Sequence, residues 1–233
     1  MRIKPVALNS TVAWLFMIGS ASFVLGSVPA YIDAVGGVAD SVTYFVGSLL
    51  FTSASFGQLV QAQSPAMTGV VGQRQHVRAP ARLLAWLPHD RNWLAAATQF
   101  PGTLAFNVST LAALAHNATV HQQDRRVWRP DVVGSALFLV ASTFAILALG
   151  RFLAYRPRSL PWWIAWINML GSVLFMASAI ASYVLPSSGQ MIDVPLSLAG
   201  TLAGAACFLV GAALMLPAWT RTLAAAPAHA ADP

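Results

Sequence analysis

The chain has 233 residues, of which 57% are hydrophobic and only 9% charged, far below the roughly 25% charge of soluble domains, and this excludes water as its main solvent. A single cysteine, Cys207, excludes an intrachain disulfide and a cysteine metal cluster. The net charge of +6 reflects how the chain sits in a membrane and gives no basis for nucleic-acid binding.

Six apolar stretches reach the roughly 20 residues that a helix needs to cross about 30 Å of hydrocarbon. The first, 12–32, follows Met1-Arg2-Ile3-Lys4 and is read as a retained helix rather than a secretion signal, because it is too long and carries a motif that recurs in every later stretch. A short turn with Asp33, Gly36, Gly37 and Asp40 leads to the second, 42–62, which ends near Gln58 and Gln61. Between Gln63 and Asn92 lies the longest interruption. There Ala81 to Leu87 is read either as an interfacial turn, with Trp86 at headgroup level, or as an ordinary loop. The third, 93–115, carries Gln99 and Asn107, and the fourth, 131–153, follows Asp131, a helix-start residue. The fifth, 162–185, carries Asn168, and Pro186, Ser187, Ser188 and Gly189 begin the turn to the sixth, 196–217. The expectation is an all-α, six-helix transmembrane bundle over residues 1–217, built from hairpins 12–62, 93–153 and 162–217. An alanine- and proline-rich mobile cytoplasmic tail, 218–233, follows it.

Arginine and lysine set the expected orientation. With the N-terminus in the cytoplasm, Arg2, Lys4, Arg74, Arg78, Arg82, Arg91, Arg151, Arg156, Arg158 and Arg221 lie inside, and only Arg125, Arg126 and Arg129 lie outside. Both termini are therefore assigned to the cytoplasm.

Every stretch carries glycine, a small residue, two variable residues and phenylalanine: Gly19-Ser20 with Phe23, Gly47-Ser48 with Phe51, Gly102-Thr103 with Phe106, Gly134-Ser135 with Phe138, Gly171-Ser172 with Phe175, and Gly204-Ala205 with Phe208. Trp14 and Trp166 stand five residues before their glycines, and Phe138 to Ser142 resembles Phe208 to Ala212. Three related hairpins explain these matches. Glycine and phenylalanine four apart share a helix face, so the glycine admits a neighbouring backbone and the ring fills space one turn away. Gly200 and Gly204 add a GxxxG spacing, with Gly211 near the same face.

The polar residues of the apolar layer are amides. Gln99, Asn107 and Asn168 either bond helices together or line a polar interior. All seven acidic residues are aspartates placed at connections, helix starts or the tail, which argues against proton coupling. His116 and His121, near Asp124, are read as interfacial rather than as metal or haem ligands. No nucleotide, zinc-protease or nucleophile-elbow motif occurs, so no catalytic residue, metal or cofactor is expected.

From Trp14 to Phe23, Gly134 to Ser142 and Asn168 to Phe175, the chain resembles bacterial multispanning membrane proteins with YrhK-like domains. The resemblance extends over residues 12–217 and departs in the sixth helix, where Ala205 replaces serine or threonine. It implies a bacterial inner-membrane protein and supplies no catalytic residues. The expected role is structural or interactive, as an accessory subunit or scaffold, with membrane lipids and either further copies or another membrane protein as partners. The rival is a small transporter or channel.

Overall fold

The computed structural model describes residues 2–64, 79–115, 118–150 and 155–224. Six long helices account for most of them: α1 (Pro5–Gly26), α2 (Pro29–Ala62), α3 (Arg91–Ala113), α4 (Arg129–Ala148), α5 (Leu160–Ala181) and α6 (Val194–Ala224). Each packs against its neighbours in sequence, and α6 returns to α1, so the helices close into a ring. The result is an all-α polytopic bundle. Five of its membrane-length segments are apolar enough to span a bilayer, with α4 extended backwards to Val120. The remaining helix, α3, is just as long but is diluted by Asn92, Gln99 and Asn107.

The helix starts are chemically marked. Proline occupies the first turn of α1, α2, α4 and α5, where its missing N–H has no helical partner to lose. Asp90 Oδ1 accepts from the amides of Asn92 and Trp93 at 2.8 and 3.3 Å and caps α3. Ser159 does the same for Trp162 in α5. Each long helix begins at least two residues before its apolar stretch, because these caps are polar and hydropathy does not register them.

Two sequence expectations need correction. The first helix ends at Gly26 rather than near residue 32, and residues 33–41 form no turn. The chain instead re-enters a helix at Pro29, breaks it only at Gly36, and resumes at Gly37. Gly36 has φ 81° and ψ 160°, a conformation open essentially to glycine alone. Of the two readings of residues 81–87, the structure adopts the loop, since they run as irregular chain. At the other end, α6 continues through the position where the tail was placed and reaches Ala224. Residues 225–233 lie outside the described residues, as do Arg74, Arg78, His76, His116 and Arg151.

The surface of the ring is what lipid requires. Trp14, Ile18, Val108, Val140, Leu170 and Val210 are exposed in the middle turns of their helices, where water would penalise them. Outward hydroxyls are returned to their own helix: Ser22 to Ile18 O at 3.0 Å, Ser53 to Leu49 O at 2.9 Å and Thr143 to Leu139 O at 2.9 Å. The chain is a multispanning helical membrane protein.

Candidate functional site

The centre of the ring is the one place where all six helices meet. Phe23, Phe51, Phe106, Phe138, Phe175 and Phe208 are there, none more than 8% exposed, in a single buried cluster. The rings of the even helices form a closed triangle, with Phe51–Phe138 at 6.3 Å, Phe138–Phe208 at 5.6 Å and Phe51–Phe208 at 5.9 Å between centroids. In the odd helices, Phe175 reaches Phe23 at 6.1 Å and Phe106 at 5.9 Å. The two sets are tied together through the helix pairs: Phe23–Phe51 at 6.0 Å, Phe106–Phe138 at 5.2 Å and Phe175–Phe208 at 5.2 Å. Many of these contacts are edge-to-face, the arrangement that the aromatic quadrupole favours.

The glycines explain how so many rings converge. In α1–α2, a methyl placed on Gly19 would sit 3.0 Å from Gly47 O, and one on Gly47 would sit 3.1 Å from Gly19 O. The other two pairs repeat the approach. Gly134 faces Gly102 O at 3.0 Å, and Gly171 and Gly204 each face the other's carbonyl at 3.0 Å. In each pair the phenylalanine of one helix also lies over the glycine of its partner, as Phe51 does over Gly19, Phe138 over Gly102 and Phe208 over Gly171. The small residue that follows each glycine is wholly buried: Ser20, Ser48, Thr103, Ser135, Ser172 and Ala205 are at most 1% exposed.

A second set of contacts joins one pair to the next. Across α2–α3, Ser48 and Thr110 share a hydroxyl bond of 2.9 Å, and across α4–α5, Ser142 and Ser172 share one of 2.9 Å. The α6 positions equivalent in sequence offset to Ser48 and Ser142 are Ala205 and Ala212, both buried. That seam is therefore built on α6 without hydroxyls at these levels.

The three amides lie on two helices, α3 and α5. Asn168 is pressed against Gly211 within the α5–α6 pair. Asn107 lies in α3, a helix whose principal neighbours are α2 and α4, and its Oδ1 is buried without a partner. Gln99, two turns earlier in α3, is half-buried. Among the described residues the two best-formed hollows lie at the ends of the bundle rather than on its axis. One, of about 490 Å³, is lined by Ala112, Ala115, Gln122 and Arg126, and the other, of about 820 Å³, by Trp86, His89, Arg91 and Leu147. His121 is exposed on the short helix Val120–Gln123.

Two features of the centre escaped sequence reasoning. A second small residue follows each motif glycine by seven positions, and all are buried: Gly26, Ala54, Ser109, Ala141, Ser178 and Gly211. That spacing was readable, since seven residues are two helical turns on one face, but only Gly26 and Gly211 repeat the glycine itself. The hydroxyl pairs between helices had no local signal at all.

No family model, curated protein or solved structure matches this chain. Its function has to be argued from the geometry.

Proposed function

We propose that the protein is a structural or interaction component of the bacterial cytoplasmic membrane, an accessory subunit or scaffold, rather than a conductor of solutes. The observation that carries this is the cluster of six phenylalanines on the axis of the ring, where a pathway would have to run. A pathway needs polar groups or room for water along its length, and this centre offers close-packed rings. Within the same proposal, the three helix pairs are related repeats of one hairpin, as the glycine approach and phenylalanine exchange common to all three pairs support, and the chain is kin to the YrhK-like membrane proteins.

The test is flux. Purified protein reconstituted into vesicles loaded with potassium, protons or a small fluorescent anion is expected to leak no faster than empty vesicles. A saturable flux of any of these would overturn the scaffold reading in favour of the transporter. The proposed orientation, with both termini cytoplasmic, rests on the arginine and lysine distribution. Cysteines introduced at Gln73 and Thr222, in a chain with Cys207 replaced, are expected to resist a membrane-impermeant thiol reagent in intact cells and to react after permeabilisation. Labelling of both from outside refutes the orientation.

A further inference from the structure

One segment outside the helices exposes apolar side chains on a backbone that is held in place. Leu83, Leu84 and Trp86 are 52%, 93% and 79% exposed, and Leu84 is the most exposed large hydrophobic residue among those described. The chain that carries them is not free to swing into water. Gln63 Nε2, at the end of α2, donates to Leu83 O at 2.6 Å, and the amide of Arg82 donates to Ser64 Oγ at 2.9 Å. The Trp86 ring meets Trp93, in the first turn of α3, at 5.4 Å edge to face. Just upstream, Ala79–Pro80 pairs with Arg2–Ile3 ahead of α1. The segment is thus pinned at the level where α2 leaves the bundle and α3 enters it.

We propose that residues 82–86 are a membrane-contacting strap whose partner is the lipid surface, with Leu83, Leu84 and Trp86 seated at the boundary between headgroups and acyl chains. Three arguments converge. The strap lies at the helix ends and continues the apolar surface that the helices present to lipid. Its composition suits that depth, since tryptophan favours the interface and the exposed Arg82 can reach outward to phosphates. Its irregular backbone excludes the hydrocarbon centre, where unpaired amides are too costly, but is tolerated where water still reaches. The strap would fix the height of the α2–α3 connection against the bilayer.

The proposal rests on the bundle spanning the membrane, and the experiment separates the two. Leu84→Cys, in a chain with Cys207→Ala, is labelled with an environment-sensitive fluorophore and reconstituted as purified protein in phosphatidylcholine vesicles brominated either near the headgroup or deep in the chain. Val140→Cys, mid-helix and facing lipid, reports on spanning, and Ser187→Cys, in the exposed α5–α6 turn, reports on water. The Leu84 label is expected to emit to the blue of the Ser187 label and to lose about half its intensity to shallow bromines and less to deep ones, as suits a depth of about 5–10 Å. The Val140 label should be quenched most by deep bromines. A Leu84 label that behaves like the Ser187 label overturns the strap while Val140 still reports spanning. A blue-shifted Leu84 label that no bromine quenches also overturns it, since the side chain is then buried against protein. Loss of deep quenching at Val140 points instead to failure of the spanning reading.

Discussion

Helix contacts within a pair and contacts between pairs use small residues in opposite ways. Within a pair, at the level of the phenylalanines, a methyl added to Gly19, Gly47, Gly134, Gly171 or Gly204 would meet the partner glycine's carbonyl at 3.0–3.1 Å, so the neighbour must give way to any side chain placed there. In two of the three seams between pairs, a hydroxyl faces a hydroxyl: Ser48–Thr110 and Ser142–Ser172. These hydroxyls hold a second partner in their own helix: Ser48 bonds Phe45 O at 2.8 Å, Thr110 bonds Phe106 O at 2.8 Å and Ser172 bonds Asn168 O at 2.9 Å. At Ser48–Thr110 a seam bond that breaks leaves no orphaned donor, whereas a glycine contact has no alternative state. Pairs should therefore be rigid units, and the seams should tolerate change.

The strongest way to break this contrast is inside a pair. Gly171→Leu is expected to cost about 3 kcal/mol in resistance to unfolding in detergent, even though leucine improves both helicity and lipophilicity. Gly134→Leu should behave alike, and unchanged resistance in both would sink the packing argument. Next comes the centre, where pairs and seams meet. Phe138→Ala removes a ring that touches Phe51, Phe106 and Phe208. Because the unfolded helices also remain in lipid, the transfer part of the usual penalty shrinks, leaving a packing loss of about 2 kcal/mol, measurable in the same assay. The seam is sharpened by a double-mutant cycle on Ser142→Ala and Ser172→Ala, in which the coupling is expected near 0.6 kcal/mol. A coupling as large as the glycine effect would erase the distinction between the two kinds of interface. The smallest effect belongs to the lipid face: Val140→Leu and Val173→Leu, both nearly half exposed, should shift stability by no more than about 0.5 kcal/mol.

How far the sequence carries depends on the range of each interaction. Six helices can be read from it because spanning lipid is a property of one segment at a time, and the glycine and phenylalanine positions can be singled out because they recur within each segment. The helix break was misplaced for a local reason: Gly36-Gly37 between aspartates suggests a turn, yet only Gly36 leaves the helix, and Pro29 had already started a new one. What faces what is a different matter. Ser48 and Thr110 are 62 residues apart, and nothing in either neighbourhood names the other. The amides illustrate the same limit: Gln99 and Asn168 each stand three residues before a motif glycine, yet nothing local tells which neighbours they meet.

The closure of α6 onto α1 carries a consequence for biosynthesis. Helices enter the membrane in the order in which they are made, so α1 must wait for five more to be inserted before its last neighbour exists. Until then Phe51 lacks the ring of Phe208, and one flank of the first pair is open to lipid or to whatever attends the nascent chain. Each hairpin can close its glycine contact as soon as its second helix arrives, but the aromatic centre can be completed only at the end, which makes the final helix the step that commits the chain to its mature form.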